Sequence, residues 1–200
     1  IYAGGDTPIN EVLELLDEWG LYDRVRARAR VVDRVQYWDW QKRQLLAELP
    51  YGLIESDTSH PYRLHVPQWE VSAILLEKVR EAPNVTLETG CEVVGFAQAE
   101  DGSSVTVTVE RDSGVETVTG DWLCGADGTG SRIRNGLGIE FKGLSWDETF
   151  LTTELDLELM VRFADASPQD GVGLAPVAYV LHPEHWAIVM LMPDAARILF

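Results

Sequence analysis

Between positions 85 and 123 four runs with β-type alternation follow one another, cut by Asp101-Gly102 and Ser113-Gly114. Glycine supplies the positive φ of tight turns, so the pattern predicts antiparallel strands over 85–88, 92–98, 105–110 and 115–123. Helix-period segments flank this meander. Pro8-Ile9-Asn10 opens a run in which Val12, Leu13, Leu15, Leu16 and Trp19 recur near every 3.6 residues, with Glu11, Glu14 and Asp17 on the other face and Gly20 as the stop. Val71, Ala73, Ile74, Leu75 and Val79 predict a second helix over 69–79, ended by Pro83-Asn84. Residues 21–29 form a short stretch bearing arginines, and Val31-Val32 and 35–40 then switch to β-branched and aromatic residues, a strand or hairpin. Further strands are expected over 150–162, 177–182 and 186–192. The mixture predicts an α/β (α+β mixed) fold in which the meander is inserted into a larger framework.

Two hundred residues, 46% of them hydrophobic, suffice for one or two domains with a real core. With 33 acidic against 16 basic side chains and a net charge of -17, the chain is a poor candidate for nucleic acid, whose affinity comes largely from Lys and Arg releasing counterions. Cys91 and Cys124 form no paired framework, no secretory leader opens the sequence, and no apolar run approaches the ~18 residues of a membrane span. A cytoplasmic location and a small-molecule partner are the expectation. The sequence opens on Ile1 and closes inside the apolar run Arg-Ile-Leu-Phe without a stop signal, the pattern expected of an excerpt from a longer chain.

The chemistry is concentrated in residues 121–134. An apolar run, 121–126, leads into a turn with Gly125, Asp127, Gly128 and Gly130, and then into a helix beginning near Ser131, whose hydroxyl can cap it. A strand, loop and helix in this order gather backbone N–H groups and a carboxylate at one point, suited to a ribose hydroxyl and a pyrophosphate. Taken as a dipeptide, Asp127-Gly128 is an ordinary turn like Asp101-Gly102. The longer string GADGTGSRIRNGLGIEFKG decides between them.

That string resembles the second nucleotide motif of the class A flavoprotein aromatic hydroxylases, the para-hydroxybenzoate hydroxylase and phenol hydroxylase superfamily. The family pattern is an apolar strand, Gly-x-Asp-Gly-x-x-Ser-x-x-Arg, a Leu-Gly-Ile turn and a glycine, matched here by Gly125, Asp127, Gly128, Ser131, Arg134, Leu137-Gly138-Ile139 and Gly143. PINEVLELLDEWGLYDRV resembles the family's helix after the first nucleotide-binding unit, and Tyr62-Arg63-Leu64-His65-Val66-Pro67-Gln68 the segment whose glutamine approaches the flavin side chain. The resemblance implies an FAD/NAD(P)-binding fold of the para-hydroxybenzoate hydroxylase type, truncated at both ends, with a β-sheet substrate domain. Residues 1–30 and 62–142 would belong to a partial FAD-binding domain, and 31–61 and 143–200 to a partial β-rich substrate domain. Asp127 would bind the FAD ribose, Gly128 would let the backbone come close, and Gln68 would contact the ribityl-pyrophosphate region. Gly125 and Ser131 complete the cofactor set, and Arg134 would tie down the motif and help dock the pyridine nucleotide. The family's opening GxGxxG and its closing Gly-Asp-Ala-x-His-type motif do not occur in these 200 residues, as an excerpt would lack them, and the fragment alone is expected to be inactive.

The implied activity is that of an FAD-dependent monooxygenase that uses NAD(P)H and O2 to hydroxylate a phenolic substrate through a flavin hydroperoxide. The alternatives are a same-fold oxidoreductase acting on a polyketide or isoprenoid, and a non-catalytic degenerate binding module. No residue is marked as a catalytic acid or base. Tyr37, Trp38, Trp40, Tyr179 and Trp186 read as sheet core, with a subset as candidates for the substrate pocket that this sheet builds in the family. His182 and His185 flank a proline, have no third ligand near them, and read as surface residues; no metal is expected. Arg24, Arg26, Arg28 and Arg30 read as a solvated face. Glu154, Asp156 and Glu158 alternate with leucines as in a strand with one wet face.

Overall fold

The computed structural model describes residues 10–144, 147, 149–156 and 174–200. They fall into two compact units, Ile1–Ala82 with Glu148–Phe200, and Pro83–Asp147.

In the first unit, α1 (Asn10–Glu18) buries Leu13 and Leu16. Its end follows from Gly20, at φ +68°, where Gly20 N–H bonds Asp17 O at 2.9 Å and Leu21 N–H bonds Leu16 O at 2.8 Å. This pair of hydrogen bonds at a left-handed glycine satisfies two of the last carbonyls and folds Leu21 back onto Leu16 in the core. The arginine-bearing stretch contains α2 (Tyr22–Arg26), whose Val25 is buried, and α3 spans Gln68–Glu81 with Ile74 buried. Leu13, Leu16, Leu21, Val25, Leu64, Val66 and Ile74 form one apolar cluster that joins the three helices. Two of the arginines read as a solvated face are in ion pairs with α3, Arg24 with Glu77 and Arg28 with Glu70 at 2.8 Å. These pairs are exposed and contribute little each.

The same unit holds a six-stranded sheet. Its strands are β2 (Arg34–Asp39), β3 (Gln44–Pro50), β8 (Thr152–Asp156), β9 (Val177–Leu181), β10 (Trp186–Leu191) and β11 (Ala195–Leu199), in the order β3-β2-β9-β10-β11-β8. β2 and β9 run parallel, and the other neighbours are antiparallel. Residues 34–50 and the described strands between 152 and 199, distant in the chain, therefore share one sheet. One piece departs from it: β1 (Arg30–Val32) pairs with β4 (Arg63–His65) instead. Asp33 separates β1 from β2, and its carbonyl accepts from Tyr51 N–H at 2.8 Å, one step beyond the Arg34–Pro50 pair of the β2–β3 register. The expected strand over 150–162 is seen as β8, and its continuation lies outside the described residues. β11 arises from the apolar run at the end of the sequence, set apart from β10 by the turn at Pro193-Asp194, a signal the sequence reading did not use.

The two faces of the sheet follow from the period of two. Trp38, Ala178, Val189 and Ala196 form one buried cluster. Val32, Val35 and Val177, with Tyr37, Tyr51, Tyr179 and Ile188 packed against them, form the other. Gln36 is fully buried beside Trp38. Its Oε1 accepts from Trp38 Nε1–H at 3.0 Å and from Ala175 N–H at 2.8 Å, while its Nε2 donates to Glu48 at 2.8 Å.

In the second unit β5 (Glu92–Gln98), β6 (Val105–Arg111) and β7 (Gly114–Gly120) form the anticipated antiparallel meander. Gly102 and Gly114 carry φ +72° and +126° at its turns. Residues 85–88 are not a strand, and neither are residues 123–126, which are extended and largely exposed. Alternation makes a strand only where a neighbour can take up the backbone bonds, and no described strand runs beside either segment. α4 (Arg132–Gly136) packs on β5 through Gly136, where an added Cβ would lie 2.6 Å from Cε1 of Phe96. Among the described residues no helix is long and apolar enough to cross a membrane.

Candidate functional site: the Gly125–Arg134 loop and helix

The loop is built from its side chains inward. Ser131 caps α4: its hydroxyl accepts from Arg134 N–H at 3.0 Å and donates to Asp127 Oδ1 at 2.5 Å. Asp127 Oδ2 accepts the amides of Arg132 and Ile133 at 2.7 and 3.2 Å. Three of the amides left open at the start of α4 are thus satisfied by this chain's own side chains. The Ser131 hydroxyl, followed by the backbone amides, holds the Asp127 carboxyl below the usual carboxylate range. The group is an exposed anion that has accepted three hydrogen bonds, so about one of its roughly four lone-pair positions is left for a ligand donor. A hydroxyl fits that remainder. A pyrophosphate on the helix amides does not, because those amides are occupied.

The glycines have separate physical reasons. At Gly125 an added Cβ would stand 2.9 Å from Cβ of Ile133, so only glycine lets the loop lie against α4. Gly128 has φ +80° and nothing within 4 Å of a Cβ position, so its backbone stands open in the left-handed region. Arg134 turns away from the loop. Its guanidinium lies 4.3 Å from the centre of the Phe141 ring and donates to Asn135 Oδ1 at 3.2 Å, while Nε is buried without a partner. This anchors the segment that follows α4.

Gln68 belongs to the first unit, as the first residue of α3 directly after Pro67. It lines an open groove of about 490 Å³ along one face of that helix, together with Trp69, Ser72, Ala73 and Leu76. The aromatic candidates are also in the first unit, and the sheet divides them. Tyr37 and Tyr179 are register partners on one face, stacked with ring centres 5.0 Å apart and planes 10° apart. Trp38 is buried on the opposite face. Trp40 is 66% exposed, and Trp186 meets the edge of Phe150 at 5.4 Å. His182 accepts from Glu184 N–H at Nδ1, 3.1 Å, and lies beside Gln41.

The sequence reading missed Tyr51, Arg63 and His65. Arg63 and His65 share one face of β4, and their alternation with Leu64 was the available signal, obscured by the shortness of that strand. His65 is fully buried, and its Nδ1–H donates to Leu191 O at 2.8 Å, which leaves Nε2 as a bare acceptor. Burial pushes its pKa down to about 4.

Comparison with known proteins places this geometry. Residues 5–197 match the FAD-binding domain family. The chain belongs to that family. It is 29% identical over 175 residues, 88% of its length, to para-nitrophenol 4-monooxygenase of Pseudomonas sp. (strain WBC-3), of which it covers 40%. It is 30% identical over 178 residues to 6-methylpretetramide 4-monooxygenase of Streptomyces rimosus, covering 88% of this chain and 31% of that protein. Among solved structures, p-nitrophenol 4-monooxygenase PnpA from Pseudomonas putida DLL-E4 superposes with a TM-score of 0.82 at 25% identity, over 97% of this chain and 46% of that one. The flavin-dependent monooxygenase PieE, solved with FAD and substrate, shares the fold with a TM-score of 0.78, over 96% of this chain and 35% of that one. This FAD-binding domain chain thus spans less than half the length of these relatives.

Proposed function

We propose that this FAD-binding domain chain is part of an FAD-dependent monooxygenase that hydroxylates a small phenolic substrate with NAD(P)H and O2. The observation that carries the reading is the Asp127 loop: an ionised, exposed carboxylate with one acceptor position to spare, beside an open glycine backbone, in a chain of the FAD-binding family. Asp127 accepts a ribose hydroxyl, Gly128 gives that ribose close approach, Gly125 and Ser131 hold the loop in shape, and Arg134 ties down the segment that follows α4. Gln68 meets the ribityl-pyrophosphate region from the start of α3. Bound there, FAD would supply the redox chemistry between NAD(P)H, dioxygen and the ring. The protein's share is to hold the ring and exclude water, a role that fits the half-buried Tyr37 and Tyr179 better than the outward Trp40 or the inward Trp38. In this reading 1–30 and 62–142 serve the flavin, 31–61 and 143–200 serve the substrate, and the enzyme works in the cytoplasm. A second reading, a substrate other than a simple phenol, draws on the 30% identity to 6-methylpretetramide 4-monooxygenase.

The test is flavin retention by the full-length protein. Wild type is expected to purify yellow, and Asp127→Ala to bind FAD about one to two decades more weakly, the worth of one charge-assisted hydrogen bond. Phenols should accelerate NAD(P)H oxidation. A full-length protein that takes up no FAD overturns the proposal.

A further inference from the structure

We propose that Arg63 and Tyr51 form an anion-recognising subsite beside the Tyr37–Tyr179 pair, selecting aromatic substrates that carry an ionised oxygen or carboxylate. The inference rests on the monooxygenase reading and deepens it by naming the substrate class.

In this acidic chain Arg28 pairs with Glu70, Arg34 with Asp33 and Glu48, Arg132 with Glu92, and Arg197 with Glu154. Arg63 has no ion pair among the described residues. Its guanidinium lies 5.1 Å from the centre of the Tyr51 ring, and its Nε–H is sealed from water without an acceptor. The Tyr51 hydroxyl is buried beside it, and burial raises its pKa against the charge of Arg63 and a side-chain hydrogen bond with it, so the phenol oxygen accepts from Arg63 and keeps its own hydrogen to donate. A permanent cation is thus half-buried with its Nε–H lacking an acceptor, and the Tyr51 hydroxyl beside it has a hydrogen left to donate. Burying such groups is costly unless something supplies the acceptor, and a negative oxygen supplies it best.

The surroundings define the rest of the ligand. Arg63 is the cross-strand neighbour of Val32, and Val32, Val35 and Val177 form the cluster on which Tyr37, Tyr51, Tyr179 and Ile188 pack. The donors therefore adjoin a flat aromatic and aliphatic wall, which suits a ring whose charged substituent points at Arg63. Tyr51 begins a single 3₁₀ turn (Tyr51–Ile54) directly after the edge strand β3, so the subsite lies at the edge of the sheet.

The test is equilibrium dialysis of the full-length protein against 4-nitrophenolate, at a pH where the phenol is ionised, and against the neutral 4-nitroanisole. Wild type should hold the anion about tenfold more tightly than the ether, a preference that Arg63→Gln abolishes, Arg63→Lys partly keeps and Tyr51→Phe reduces. Bound FAD is measured in each variant. Equal retention of the anion by wild type and Arg63→Gln overturns the proposal, as does equal weakening of both ligands, which would mark a packing role. Should Arg63→Gln not fold, Arg63→Lys and Tyr51→Phe, which keep the packing, carry the same comparison. A yellow protein without anion preference sinks this subsite and spares the monooxygenase reading, whereas a colourless protein with that preference does the reverse.

Discussion

At the scale of single residues, the buried polar groups carry the sharpest consequences. His65 is neutral in the folded protein because burial lowers its pKa from 6.5 to about 4. The unfolded chain binds the extra proton between these values, so stability falls as pH drops through about 6.5 and the loss is complete near 4, amounting to at most about 3 kcal/mol. His65→Gln keeps a donor for Leu191 O and removes the titration. Urea unfolding at stepped pH should show a shallower acid slope in that variant. Ser131 acts at the other unit: as the cap of α4 and the main partner of Asp127, its replacement by Ala should cost about 1 kcal/mol, read as a lower urea midpoint, and let the Asp127 carboxyl titrate higher. Neither Gln36 nor His65 could be assigned from sequence, since a glutamine or histidine on a strand reads as surface until the face it lies on is known. Asp127 and Ser131 were legible because their partners are within six residues.

At the scale of elements, local signals fixed what local contacts decide. Gly20 ends α1 where the sequence places the stop, since only a left-handed residue lets Leu21 N–H reach Leu16 O. Gly20→Ala should cost about 1 kcal/mol, measured as a shift of the urea midpoint, with the core cluster otherwise intact. Strands are different. Residues 92–98 and 105–110 became β5 and β6 because a turn joins each to its partner, whereas 85–88 and 123–126 alternate equally well and pair with nothing described. β1 shows the same dependence on partners: its valines would suit either sheet, and it pairs with β4.

At the scale of the molecule, the chain is two compact units, and residues 83–147 form one of them without interruption. Limited proteolysis should therefore cut at the exposed turn of Pro83 and Asn84 and leave a resistant fragment spanning β5 to α4, identified by mass; cleavage first within β5 or β6 would contradict that division. The sequence by itself determined the class of fold, the helices and hairpins, and the Gly125–Arg134 motif, because each depends on groups a few residues apart whose geometry the backbone period dictates. Only the tertiary structure decided that 34–50 and 152–199 join through the parallel β2–β9 pair, that Tyr37 meets Tyr179 while Trp38 faces away, and that Arg63 comes to rest on Tyr51. These choices pair residues far apart in the chain, and a one-residue change of register would send each side chain to the other face, which alternation alone does not forbid.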